Sequence, residues 1–324
     1  MNELSIRQEH LDSKENVSVD YLLDLYEKNI DVVKATKTTY LKGINNFKTW
    51  IEDNDIKHVN KAVILDYKNY LTTSFEETTA RTYLSGVKNL FNFMEELGVP
   101  NIMRNVKGVK ISHDFKKQSL TRDQVIKINN SQQSNLETLK AKRDYAIFNL
   151  LVRNGLRTIE LERANKEDFT QRNGRYVLMV QGKGQTSKNK PAVLEDGALI
   201  PLLDYLDARG KDNHPALFIG LATNKYGTRL TTKSIRRLIK ELLVANGYKS
   251  KDLTAHSLRH TAITFSLMGG ATIQEAKELA RHENINTTMI YAHNIERIEN
   301  APERFVEKYL KEGDGKDGKD NNHL

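Results

Sequence analysis

The stretch "LTAHSLRHTAITF", residues 253–265, places His256 three residues before Arg259, and three further stretches carry related groups. Arg157 lies in "NGLRTIEL", Lys183 stands between two glycines in "GKGQTSKNK", and His282 and Tyr291 share "LARHENINTTMIYAH". Singly, each has an ordinary reading: a surface ion pair, a solvated turn lysine, a packing tyrosine, a polar helix end. Together they suit one job, transfer of a phosphodiester to a hydroxyl. That reaction passes through five-coordinate phosphorus whose non-bridging oxygens gather negative charge, so the site needs fixed cationic donors. Arginine serves because its planar fork binds two oxygens at once and stays charged at any working pH. Arg157 and Arg259 are the two candidate clamps. The phenol of Tyr291, with a free pKa of about 10, needs a neighbouring base or cation to act as a nucleophile. Glu160, one turn after Arg157, is placed to hold that arginine by a salt bridge.

These groups depend on the elements that carry them. His256 and Arg259 project from one side of a helix whose Leu258, Ala262 and Phe265 face the core on another, which leaves the pair free to point into a cleft. The chain around them reads as mainly α with a small β-hairpin. Tyr40, Ile44, Phe47 and Ile51 predict an amphipathic helix over Thr39–Glu52, and Tyr83, Val87, Leu90, Phe91, Met94 and Leu97 predict another over Thr78–Gly98. With "VSVDYLLDLYEKN" and "NKAVILDYKNYL" they make a helical domain over residues 18–100, after a flexible start at 1–17. On the second of these helices Arg81, Ser85 and Lys88 line the face away from the apolar stripe. That face is either plainly solvated or laid against a nucleic-acid groove. Residues 101–117 are polar and basic and read as an extended linker. A second domain, 118–310, opens on Ser119 or Thr121 as a helix cap, has helices at 142–153 and from "NGLRTIELERA", and contains one convincing strand, "GRYVLMVQ", returning through a Gly- and Lys-rich turn to "PAVL". Residues 311–324, "KEGDGKDGKDNNHL", are low-complexity and expected to be disordered.

Composition narrows the class. A chain of 324 residues suits two domains, and no cysteine occurs, which rules out disulfides and thiolate metal sites. Lys and Arg number 50 against 42 acidic residues, a net charge of +8 that favours a polyanionic partner. No stretch approaches the roughly 20 apolar residues of a membrane span, nor does the beginning look like a signal, so a cytoplasmic protein, nucleoid-associated in a bacterium, is expected.

In order and spacing, Arg157, Lys183, His256 with Arg259, and His282 with Tyr291 resemble the tyrosine recombinase (phage integrase) family over about residues 118–310. The helical unit is similar to that family's core-binding domain by pattern alone. Two departures stand out: "ARH" replaces the usual "LGH", with Arg281 where glycine is expected, and the hairpin is longer than the common form. The resemblance implies a mixed α+β catalytic domain, with Tyr291 as nucleophile through a 3′-phosphotyrosyl intermediate. It implies that His256 accepts or relays the tyrosine proton, that His282 donates to a phosphate oxygen, and that Lys183 is the general acid for the leaving 5′ oxygen. Lys188 and Lys190 share the hairpin and stay open as alternatives for that acid. It further implies double-stranded DNA with inverted-repeat core sites as partner, and a homo-tetramer that exchanges strands through a Holliday junction. No cofactor is expected: a phosphotyrosyl link conserves the broken bond's energy, no P-loop occurs, and no metal motif argues for an ion. Some 17 residues before the helical unit suggest the simpler architecture without an arm-binding domain. Beyond Tyr291, the apolar Phe305, Val306, Tyr309 and Leu310 suit docking on a neighbour or packing on their own domain. A non-catalytic DNA-binding protein on the same fold, or an enzyme akin to a type IB topoisomerase or hairpin resolvase, are the competing functions.

Overall fold

The first of two units, Met1–Asp114, has four helices among its described residues: α1 (Val19–Asn29), α2 (Lys34–Asp53), α3 (Lys61–Ser74) and α4 (Glu77–Glu96). The computed structural model describes residues 19–110, 119–182, 185, 187–223, 226–249, 253–299 and 303–313. The spacing over Thr39–Glu52 and Thr78–Gly98 marks α2 and α4, with α2 beginning at Lys34 and α4 ending at Glu96, each a few residues earlier than the apolar spacing. Asn60 caps α3, its side chain accepting from the amides of Ala62 and Val63. Phe47, Ile64, Tyr67, Leu71, Leu84, Val87 and Phe91 form the core. Helices α2 and α4 meet backbone to backbone at two glycines. A Cβ at Gly43 would lie 2.7 Å from the Cα of Tyr83, and one at Gly86 would lie 2.6 Å from the carbonyl oxygen of Tyr40. Arg81, Ser85 and Lys88 lie on the exposed face of α4, where the Ser85 hydroxyl donates to the Arg81 carbonyl at 2.8 Å.

The expected linker differs over its described part. Met103, Val106 and Val109 bury into the core of the first unit, and Arg104 pairs with Glu95 at 2.7 Å. Three apolar residues spread among basic ones give no sustained helical or strand period, so polarity concealed the packing. Residues 111–117 lie outside the described residues.

The second unit, Phe115–Leu324, opens on α5 (Arg122–Gln133), capped by Thr121 in a capping box with Gln124. Helix α6 (Leu139–Asn154) runs through the core with Ala146, Ile147, Phe148, Leu150 and Leu151 fully buried, and stops at Gly155 in the left-handed conformation, φ 56°. After α7 (Thr158–Arg163) come β1 (Phe169–Arg172), β2 (Arg175–Val180) and β3 (Lys190–Val193), an antiparallel meander in that order with Phe169 opposite Leu178 and Val177 opposite Val193. The hairpin of β2 and β3 is the one the sequence predicts, and β1 adds a third strand. Its signal was present: Asn173-Gly174, both at positive φ, is the favoured two-residue hairpin turn. Among the described residues six more helices follow: α8 (Asp196–Arg209), α9 (Thr232–Ala245), α10 (Ala255–Met268), α11 (Ile273–Ala280), α12 (Asn286–Glu299) and α13 (Glu303–Gly313).

Leu258 and Ala262 of α10 are buried and Phe265 is half-buried, as their spacing predicts. On α13, Val306, Tyr309 and Leu310 are exposed, and the side chain of Phe305 lies outside the described part. Helix α13 takes in residues 311–313 of the expected tail, and 314–324 lie outside the described residues. Among the described residues, no helix is long and apolar enough to cross a membrane.

The glycine contact sets a test. Gly86→Ala is expected to destabilise the first unit by about 1–3 kcal/mol through overpacking. Gly108→Ala, where a Cβ would meet open space, should change it by less than about 0.5 kcal/mol. Urea unfolding followed by fluorescence of Trp50, the chain's single tryptophan, checks both.

Candidate active site

The site grows from the C-terminus of α6. The left-handed Gly155 turns the chain so that Arg157 becomes the N-cap of α7 and Glu160 its third residue. This spacing folds the Glu160 carboxylate back onto Arg157. Oε2 accepts the Arg157 backbone N–H at 2.9 Å and Oε1 accepts Nη1 at 2.7 Å. The side chain of Glu160 is fully buried, which pushes its pKa up, but the Arg281 guanidinium and the Arg157 N–H and guanidinium outweigh this and hold it below the usual carboxylate range.

Arg259 enters from α10 with only 2% of its surface exposed. Its Nη1 donates to the Gly155 carbonyl at 2.5 Å and its Nη2 to the carbonyl of Ala280. These carbonyls terminate α6 and α11, where helix dipoles favour a cation. Burial, then the neighbouring Arg157 and Arg281, lower its pKa to about 9. Two of its donors are engaged and three more remain on the guanidinium.

His282 follows the bend after α11, with Nδ1 3.0 Å from the hydroxyl of the buried Thr288 on α12. Burial and then Arg259, Arg157, Arg281 and His256 lower its pKa to about 4, so the ring is neutral at neutral pH. Tyr291, on α12, is 6% exposed and packs beside Ile263 and Ala280. Its hydroxyl hydrogen-bonds Nδ1 of His260, and burial pushes its pKa up to about 12 against the lowering pull of Arg259 and Arg157. His256, exposed on α10, sets its ring edge-on to His260, centroids 4.5 Å apart.

Arg157, Glu160, Arg259, His282, Tyr291 and His256 thus converge from α7, α10, the α11–α12 bend and α12. Arg259 is more deeply buried than a residue pointing freely into a cleft. Lys183 lies outside the described residues. On the same hairpin Lys188 is ion-paired at 2.5 Å with Asp168, which also accepts the Asn165 N–H at 2.6 Å, whereas Lys190 is exposed at the start of β3. Sequence reasoning left out His260, although its place four residues after His256 puts both on one helix face. It also left out what the side chain of Arg281 does. Among the described residues, no group of three or more His, Asp or Glu could hold a metal ion.

A mostly helical unit with a small antiparallel sheet, gathering two arginines, two histidines and a tyrosine, matches one class of protein. The sequence profile of the phage integrase family matches residues 118–297, more than half of the chain. Tyrosine recombinase XerC of Natranaerobius thermophilus is 30% identical over 305 residues, covering 90% of this chain and 94% of that protein. The solved structure of XerH site-specific recombinase bound to palindromic difH substrate, a post-cleavage complex, superposes with a TM-score of 0.70 at 19% identity, covering 89% of this chain and 86% of that one. A lambda integrase tetramer bound to a Holliday junction gives a TM-score of 0.62 at 18% identity over 87% of this chain and 79% of that one. At these identities the structural likeness is one of fold. The chain belongs to the phage integrase family of tyrosine-type site-specific recombinases.

The buried histidine has a consequence for stability. His282 takes up a proton near pH 6.5 when unfolded and only near pH 4 when folded, so its contribution is fully present above pH 6.5 and is lost as pH falls toward 4. His282→Gln is expected to flatten the fall in urea midpoint over that window. Identical slopes for the variant and the wild type would show that the ring is not buried as a neutral group.

Proposed function

We propose that the chain cleaves and rejoins duplex DNA at specific sites through a 3′-phosphotyrosyl link to Tyr291, without ATP or metal. The observation that carries this reading is the gathering of Arg157, Arg259, His282 and Tyr291 into one cluster whose excess charge is positive. The Tyr291 oxygen attacks phosphorus, forming the phosphotyrosyl bond as the bond to the 5′ oxygen breaks. Its proton leaves through His260, with His256 as the relay beyond. Lys183 protonates the departing 5′ oxygen. Arg157 and Arg259 hold the non-bridging oxygens, and a neutral His282, with Nδ1 toward Thr288, donates from Nε2 to one of them. Attack by a 5′ hydroxyl of another strand reverses the exchange and frees the tyrosine. One phosphorus–oxygen bond replaces another at each step, so no outside energy is needed. Assignment of the acid to Lys183 is supported by the engagement of Lys188 with Asp168.

The partners follow from the same reading: duplex DNA with inverted-repeat core sites, met in the cytoplasm at the bacterial nucleoid, and four protomers exchanging strands through a Holliday junction. The likeness in fold to a lambda integrase tetramer on such a junction supports the assembly. The exposed Arg81, Ser85 and Lys88 of α4 lie against the groove.

The test begins with Tyr291→Phe protein, used to select bound duplexes from a random-sequence library. On nicked versions of these duplexes the wild type is expected to leave a covalent adduct in denaturing gels. Tyr291→Phe should leave none while binding nearly as well. An adduct in the variant removes this tyrosine as nucleophile. No adduct with the wild type indicates a DNA-binding protein without catalysis, and relaxation of plasmids without joining two sites indicates a topoisomerase-like enzyme.

A second experiment separates the acid from the clamp. Lys183→Ala should cleave ordinary DNA slower by roughly a hundredfold, the usual worth of a positioned acid, and recover on a substrate whose bridging 5′ oxygen is sulfur, since a thiolate leaves without a proton. Arg157→Ala should stay impaired on both. If sulfur rescues Lys188→Ala or Lys190→Ala but not Lys183→Ala, the acid is the other lysine.

A further inference from the structure

Arg281 occupies the bend between α11 and α12 in the left-handed region, φ 53° and ψ 42°. Glycine takes this conformation freely, whereas any residue with a Cβ is strained in it. An arginine facing solvent would gain nothing from that strain. This one turns inward: its side chain is 4% exposed. Nη2 reaches Oε2 of Glu160 at 3.2 Å, the Gly155 carbonyl at 2.9 Å and the Asn154 carbonyl at 3.2 Å. Its burial carries further costs. The Nε–H has no acceptor among the described residues, and Arg157 stands close enough to repel the guanidinium. A strained backbone, a buried charge and an unmet donor are together a poor way to fill space.

What Arg281 does hold is the pair of fixing groups behind both candidate clamps. The carboxylate it grips is the one that fixes Arg157, and with Oε2 anchored, Oε1 is turned toward Nη1 of Arg157. The Gly155 carbonyl it grips is also an acceptor for Arg259. We infer that Arg281 is a positioning residue for the phosphate clamp: its buried guanidinium ties Glu160 to the last carbonyls of α6, and so sets Arg157 and Arg259 relative to each other. The inference rests on the phosphotyrosyl reading of this site.

The experiment is single-turnover adduct formation on the selected nicked duplexes, at protein concentrations that saturate the DNA. Wild type is compared with Arg281→Gly, Arg281→Lys, Glu160→Gln and the double variant Arg281→Gly with Glu160→Gln. Arg281→Gly relieves the backbone and is expected to fold and bind DNA as the wild type does, but to form adduct roughly ten- to a hundredfold more slowly, the usual cost of losing a group that orients another. Methylguanidinium, entering the slot opened by the substitution, should restore part of that rate and leave the wild type unchanged. In the Glu160→Gln background, removing Arg281 should cost far less, because it acts through that carboxylate. Arg281→Lys keeps the charge without the fork and should recover only a fraction of the rate. Should the glycine variant unfold, the lysine variant carries the comparison. A wild-type rate in the variant under comparison overturns the inference. So does a loss that multiplies with that of Glu160→Gln and ignores methylguanidinium, which would make Arg281 a staple of the fold alone. If the wild type forms no adduct, the reading of the site falls and the inference with it; wild-type adduct beside an unimpaired variant overturns the inference alone.

Discussion

The buried carboxylate of Glu160 lets three guanidiniums stand together inside the second unit. Unpaired, the buried Arg259 and Arg281 would each carry a desolvation cost of several kcal/mol, and they would repel each other and the half-buried Arg157 where charges are poorly screened. One anion offsets part of that repulsion, and the carbonyls that end α6 and α11 offset a further part from their helix termini. The balance is deliberately incomplete: three cations face one carboxylate. Burial first, and then this excess of neighbouring cations, lower the pKa of Arg259 to about 9 and that of His282 to about 4. An excess of fixed positive charge in a site made of rigid helix ends is what a phosphodiester passing through five-coordinate phosphorus would exploit.

The same field explains how the other groups are held. His282 stays neutral among cations and so can act as a hydrogen-bond donor without adding to the repulsion. Burial raises the Tyr291 phenol while the arginines pull it down, and the net is a protonated hydroxyl held by His260. On the proposed reading, ionisation is drawn out only as phosphorus is attacked, with the histidine pair on α10 as the path for the proton. A deeply buried phenolate would cost far more than a neutral phenol poised beside its base.

The remainder of the unit serves the position of these few groups. Helix α6 is buried on nearly every side from Tyr145 to Val152 because it lies within the core, and its end supplies Gly155, on which Arg259 and Arg281 both depend. The sheet carries the hairpin with Lys188, which Asp168 holds by an ion pair. In the first unit the constraint is steric. Two glycines let α2 and α4 approach backbone to backbone, which leaves the outer face of α4 to charged residues.

Much of this was legible without coordinates. Helix spacing marked α2, α4 and α10, and the pairing of Arg157 with Glu160 could be read directly, because both depend on neighbours three or four residues apart. The types and order of Arg157, Arg259, His282 and Tyr291 named the family. The strand β1 was announced by Asn173-Gly174 and passed over, and the packing of Met103, Val106 and Val109 was masked by Arg104 and Lys107 between them. What the sequence could not decide was the environment of each group. The contact of Tyr291 with His260 spans 31 residues, and that of Arg281 with Asn154 spans 127. Desolvation and charge coupling across such distances exist only after burial of apolar surface has brought α6, α10, α11 and α12 together. The sequence therefore determined which chemical groups are present and which are neighbours on a helix; the tertiary packing alone decided which are buried, which are neutral, and that an arginine in a glycine's conformation turns inward.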